Sequence, residues 1–234
     1  MKRFYDDVAI RQVGDDQWQV TLNDRGIRTI KGGEQIVPTS SLAKSLAAEW
    51  DEQGEDIDPK AFVFRDMADY AIDIIAADQP AITDKLLSYA ETDTLCYRAD
   101  PEDALFEQQQ SAWEPLLDQL ETQIGAKFKR ISGIMHKPQS DAAISALRKR
   151  IEPESPFTLA GLEAMAALSA SLLIAMMAIE QDADAAALWH AASLEEEWQA
   201  GLWGRDHEAE ARREKRRLDF LNAQKFVALS QPQR

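Results

Sequence analysis

His207, Glu210 and Glu214 are spaced to share one face if residues 206–214 form a helix, and an imidazole with two carboxylates is a set that can ligate a metal. The same stretch offers a competing use for those groups. Glu208 with Arg212 and Glu210 with Arg213 fall at i,i+4 and i,i+3 spacing, where opposite charges pair along a helix. A single imidazole beside two solvated carboxylates makes a weak site, so the ion-paired surface is the favoured reading. Cys96 is the one thiol and lies in Thr94-Leu95-Cys96-Tyr97-Arg98, a run of strand formers. Free cysteine is among the most buried residue types, which favours a core position over a nucleophile. Arg98 is two residues on and points to the same face as Cys96. If buried, it needs a carboxylate, and Asp93 and Asp100 are the nearest in sequence. The chain carries no glycine-rich strand-to-helix loop, no phosphate-loop lysine signature and no Gly-x-Ser-x-Gly elbow, and Gly32-Gly33 reads as a turn. These residues predict no catalytic group, no cofactor and no metal.

Composition restricts the partners. Across 234 residues, 26 Lys and Arg stand against 41 Asp and Glu, a formal net charge of -15. That field repels nucleic acid and anionic lipid and favours a partner with basic patches. One cysteine excludes an internal disulfide and a cysteine-based zinc site, and points to a reducing compartment. Met1-Lys2-Arg3-Phe4-Tyr5-Asp6-Asp7 has no apolar signal core and carries acids too early for a transit peptide, as expected of a bacterial cytoplasmic protein or a processed mature form. The apolar run from Ala164 to Ile179 is shorter than the roughly 20 residues a bilayer requires, so it reads as a buried helix and no membrane insertion is expected.

These side chains need elements to position them. Trp18, Val20 and Leu22 alternate with Gln19 and Thr21, a strand with one apolar face. Asn23-Asp24-Arg25-Gly26 is a turn signal, Ile27 to Ile30 is the expected return strand, and Gln35-Ile36-Val37 a short third one closed by Pro38. The period then changes to about 3.6. Thr39, Ser40 or Ser41 caps a helix over about 40–53, with Leu42, Leu46 and Trp50 on one face. Met67, Ala71, Ile74 and Ile75 mark the next helix, and another runs from about 80 to 90. Strands are expected at about 93–98 and 128–134. They flank a helix over about 101–123 whose apolar positions are Leu105, Trp113, Leu116, Leu117 and Leu120, an arrangement suited to a parallel pair with a crossover. The remainder predicts helices at about 140–150, 157–179, 183–201 and 206–229, with Glu152-Pro153-Glu154-Ser155-Pro156 as the hinge between them. The fold class is α+β.

One stretch looks like a surface for another protein. Glu195-Glu196-Glu197-Trp198 and Trp203-Gly204-Arg205-Asp206 precede the basic run from Arg212 to Arg217. Aromatic anchors ringed by charge suit a protein interface. Trp50 and Trp113 fall in phase with leucines and read as core. Trp189, Trp198 and Trp203 do not share one helix face, and each alone is expected to be packed rather than exposed. The three glutamates cannot all point inward.

Four segments, in order, resemble the ATP12 family, assembly chaperones of the F1 sector of ATP synthase. The first is Val37-Pro38-Thr39 through Leu42-Ala43 to Ala48-Glu49-Trp50-Asp51, then Gln53-Gly54-Glu55. The second is Ala71-Ile72-Asp73. The third is Asp93-Thr94-Leu95-Cys96-Tyr97-Arg98-Ala99 with Gln109, Trp113 and Pro115-Leu116-Leu117-Asp118. The fourth is Leu194 to Gln199, Trp203-Gly204, Asp206, Glu208-Ala209 and Arg212-Arg213. The resemblance implies a small N-terminal antiparallel β-rich domain, residues 1–60, joined to a larger, mainly α-helical domain, residues 61–234, and a non-enzymatic chaperone that binds the unassembled F1 α subunit and masks its interface until β subunits take over; the chain is expected to be monomeric. It implies the bacterial cytoplasm, or the mitochondrial matrix for eukaryotic relatives. Glu195, Glu196, Trp198, Trp203, Asp206 and Glu208 are then expected to contact the partner. Trp50, Asp93, Cys96, Arg98 and Trp113 are expected to be structural. The rival readings are a generic acidic helical adaptor or scaffold and a carboxylate-dependent metal hydrolase.

Overall fold

Asp15 and Asp16 reverse the chain between two strands, with Asp16 at φ 52°, a left-handed conformation that Asp tolerates better than most residues. The computed structural model describes residues 1–133, 135–204 and 206–232. Strand β1, Val8–Gly14, pairs antiparallel with β2, Gln17–Leu22, in register from Val8 opposite Leu22 to Gly14 opposite Gln17. β1 was not among the expected strands because most of its residues are exposed and its alternation is weak. Asn23 and Asp24, both at positive φ, turn the chain into β3, Arg25–Gly26. The expected return strand over 27–30 is cut short by two carboxylates. Asp69 accepts from the Ile30 N–H at 3.2 Å, and Asp73 accepts from the Lys31 N–H at 3.0 Å and the Thr29 hydroxyl at 2.7 Å. β4, Ile36–Val37, falls where the third strand was expected and pairs antiparallel with β2, Trp18 opposite Val37, rather than with the return segment. β2 is covered on both faces, not one: Gln19 and Thr21 are buried with Val20 and Leu22, and the Gln19 amide donates to the Ile27 carbonyl at 3.2 Å.

Thr39 is the cap of α1, Ser40–Asp51. Its hydroxyl accepts from the Leu42 N–H at 3.1 Å and donates to the Leu229 carbonyl. Leu42, Leu46 and Trp50 are buried along one face as their spacing predicts. Arg3 satisfies the far end, its guanidinium donating to the carbonyls of Asp51 at 3.0 Å and Gln53 at 2.6 Å. Helix α2, Val63–Tyr70, runs into a π-helical turn, Ala71–Ile75. The wider turn shifts the face: Phe64, Ala68, Ala71 and Ile75 are buried, while Met67 is half-buried and Ile74 is exposed.

Helix α3 is Gln79–Ala90. β5, Tyr97–Arg98, and β6, Ile131–Ser132, form the expected parallel pair, joined through α4, Ala104–Ile124. Gly125 ends α4 at φ 69°, a conformation suited to glycine. Helix α5 is Asp141–Ile151. The expected helix over 157–179 is two, α6, Pro156–Ser169, and α7, Leu172–Ala178, broken where Ala170 takes φ 50° and Ser171 caps the second. The helix expected over 183–201 is also two, α8, Ala185–Ala192, and α9, Leu194–Trp203, parted at Ser193. Helix α10 is His207–Ser230. No helix among the described residues is long and apolar enough to cross a membrane.

The architecture is the expected α+β class: a small antiparallel N-terminal sheet followed by a mainly helical remainder. Backbone proximity divides the chain into two compact units, and the division does not follow the boundary placed at residue 60. The first unit contains residues 1–79, 155–161 and 225 onward; the second contains 80–154 and 162–224. In the first, α2 packs on α1, and Phe226 lies against Phe64 and Phe157 with ring centroids 6.3 and 6.2 Å away. Composition does not reveal this, because the returning segments are themselves helical. The chain passes from the second unit to the first between Glu154 and Ser155, within the loop expected to be a hinge.

Candidate functional site

Asp93 is fully buried and accepts three hydrogen bonds, from the Ser171 hydroxyl at 2.6 Å and the N–H groups of Leu173 at 3.0 Å and Leu95 at 3.1 Å. Burial pushes its pKa up to about 6, against those bonds. It therefore joins the loop after α3 to the start of α7 and is not the partner of Arg98. Nor is Asp100, which is exposed. The buried Arg98 guanidinium donates to Glu114 of α4 at 2.9 Å and lies 5.2 Å from the Trp113 ring centre. Arg130 also donates to Glu114, at 2.8 Å, and to Glu121. The bonds from Arg130 hold the Glu114 carboxyl below its ordinary range although partial burial opposes them. Both expected partners of Arg98 were its neighbours in sequence, whereas the parallel pairing of β5 and β6 presents it to α4. Cys96 is buried within this group, and burial pushes its thiol up, away from the reactive thiolate. Trp113 is fully buried and donates Nε1–H to the Ala191 carbonyl at 2.8 Å. Trp50 is buried against Phe62, ring centroids 4.5 Å apart.

The segment of His207, Glu210 and Glu214 is ion-paired. Glu214 takes two bonds from Arg217 at 2.8 Å, Glu210 pairs with Arg213 at 3.0 Å, and Glu208 pairs with Arg212 at 3.5 Å. Among the described residues, no group of three His, Cys, Asp or Glu side chains is placed to hold a metal ion.

Helix α9 has a different character. Leu194, Trp198, Gly201 and Leu202 recur at helical spacing along one side, yet none of the helix's ten residues is buried. That side forms one wall of an open groove of about 900 Å³. Gln108, Ala112 and Leu116 of α4 form another wall, and Leu188 and Ala191 of α8 lie between them. Leu116 was expected in the core but is half-buried and faces this groove, because the α4 core stripe is Leu105, Gln109, Trp113, Leu117 and Leu120. At the rim, Glu197 meets His190 at 3.1 Å.

The six residues expected to contact a partner are placed unequally. Trp198 lines the groove and is half-buried. Trp203, expected to be packed, is 86% exposed, with Leu202 beside it 65% exposed. The helix ends at Gly204 before Trp203 can be covered. Trp189 alone of the three is fully packed, its ring 5.4 Å from that of Phe220. Glu195 and Glu208 are exposed. Glu196 faces α10, 3.6 Å from Arg213 and 3.5 Å from Arg216. Asp206 accepts from the Ala209 N–H at 2.9 Å, capping α10. Arg205, between them, lies outside the described residues. The groove residues on α4 and α8 were not anticipated. Gln108, Ala112 and Leu116 do recur every fourth residue, but the alanines of α8 carry no such signal.

Residues 2–121, just over half the chain, match the family model of the ATP12 chaperone protein. The chain belongs to the ATP12 chaperone family. Solved structures agree with this over nearly the whole chain. The crystal structure of Atp12 from Paracoccus denitrificans is 33% identical, with TM-score 0.92 and 98% of each chain covered. An Asp-to-Lys variant of that protein gives the same values. The Atu1473 protein from Agrobacterium tumefaciens is also 33% identical at TM-score 0.92, over 97% of this chain and 85% of the other. The groove and the α9–α10 corner thus belong to an ATP12-type scaffold, although the matched segment ends before α8, α9 and α10.

Proposed function

We propose that this ATP12-family chain is a non-catalytic, cytoplasmic, monomeric chaperone. It binds the unassembled F1 α subunit of ATP synthase and masks its subunit interface until β subunits replace it. The observation that carries the reading is the uncovered α9 stripe ending in exposed Leu202 and Trp203, with carboxylates on either side. A subunit taken from an alternating ring exposes apolar interface that invites aggregation. A holder for such a client needs an aromatic anchor and polar contacts that can be displaced.

The test is retention of purified F1 α by the immobilised chaperone, followed by addition of F1 β. Wild type should retain α and release it as β assembles. Trp203→Ala should weaken retention about tenfold, a typical cost for truncating an anchor. Its circular dichroism melt should be unchanged. Glu195→Lys should also weaken retention. Glu196→Lys is expected to do so while loosening α9 from α10, since its carboxylate is shared by Arg213 and Arg216. If F1 α passes through the wild-type column, the reading is wrong.

A further inference from the structure

We infer that the groove between α4, α8 and α9 receives an amphipathic α-helix of the client, with apolar side chains along one stripe and Lys or Arg beside it. The inference rests on the capture reading above and adds the form of what is captured. Three features of the second unit lead to it.

The first is the wall itself. From Leu194 to Leu202 the α9 stripe spans eight residue rises, about 12 Å. That matches anchors placed at i, i+4 and i+7 of a docked helix. Each of the three helices contributes a small residue to the lining, Ala112, Ala191 and Gly201, so an incoming helix can approach closely.

The second is backbone chemistry. All three walls are helices, and none presents the unpaired edge of a strand. The groove therefore offers no open ladder to an extended strand. A strand lying there would carry its own peptide groups into an apolar site without partners. A helix arrives with its peptide groups satisfied.

The third is charge. Glu197 stands at the rim and Glu195 is exposed on the same helix, in a chain of net charge -15. Against these, His190 is the one basic side chain among the lining residues. Cations flanking the client's apolar stripe would meet carboxylates, whereas acidic flanks would be repelled.

The probe is a synthetic Leu/Lys peptide with Leu at helical spacing. Its comparators are a scrambled isomer of the same composition and a Leu/Glu peptide of the same pattern. Titration calorimetry on the full chain should show the patterned Leu/Lys peptide binding at least tenfold tighter than either. Ala187→Trp and Ala112→Trp, which fill the groove from exposed and half-exposed positions, should each abolish that preference and weaken F1 α retention at an unchanged melting temperature. Equal binding of the scrambled peptide, or undiminished binding by both groove-filled variants, would overturn the assignment. So would self-association of the wild type that either variant abolishes, since the occupant would then be a second copy. Failure of the peptide arm with wild-type F1 α retained sinks only the helix inference. Loss of F1 α retention by the wild type sinks the capture reading instead.

Discussion

Three donors converge on the Asp93 carboxylate, and two of them are backbone N–H groups with no water to turn to. Asp93→Ala should cost about 3 kcal/mol in urea unfolding, because orphaned buried donors cost roughly 1–3 kcal/mol each and some will relax. The pH dependence follows from the same burial. The folded pKa, about 6, lies above the ordinary aspartate value of 3.8, so between those values the native state holds a proton that the unfolded chain releases. The corresponding stability is fully present below the unfolded pKa and is lost as pH rises through about 6. The stability of the wild type relative to Asp93→Asn should therefore fall between about pH 4 and pH 6, by up to about 3 kcal/mol. Urea melts across that range check it, and a flat difference would refute it. Trp50→Arg should destabilise by several kcal/mol, since it sets an unpaired cation in the core beside Phe62, where Arg65 already lies 4.1 Å from the ring centre. The burial of Trp50, Cys96 and Trp113 was legible in the sequence because each sits in phase with apolar neighbours or strand formers. The partner of Arg98 was not, since Glu114 is sixteen residues away and only the strand pairing brings it near.

Elements were legible where period and cap agree. Thr39 before Leu42, Leu46 and Trp50 gives α1 almost to the residue, and the parallel β5–β6 pair follows from two strand-forming runs about one helix. The breaks inside apolar runs were not legible. Nothing local marks Ala170 as a left-handed residue, and the interruption makes sense only through Asp93, which pulls Ser171 and the α7 N-terminus toward itself. Ser171→Ala removes the donor to Asp93 and the cap of α7 together, so it should cost about 2 kcal/mol. Chemical denaturation measures that loss. If helix α7 were stable without its cap, the cost would be near zero. The split at Ser193 also shapes the groove: a continuous helix would carry the direction of α8 onward, and the α9 stripe would not form a separate wall.

At the scale of the molecule, the charge balance makes a claim about kinetics. Capture steered by a net charge of -15 should slow as salt rises from about 0.05 to about 0.5 M, with the association rate falling about tenfold and dissociation changing less. Surface plasmon resonance on immobilised F1 α separates the two rates, and salt-independent association would exclude electrostatic steering. The division of the chain has a consequence for how it is made. Residues 1–79 share a unit with Phe157 and with Phe226, whose ring lies beside Phe64, and Thr39 at the start of α1 holds the carbonyl of Leu229. A ribosome delivers Leu229 only 190 residues after Thr39. The first unit therefore cannot close until every residue of the second has been made, and the two cannot ripen one after the other as successive domains commonly do.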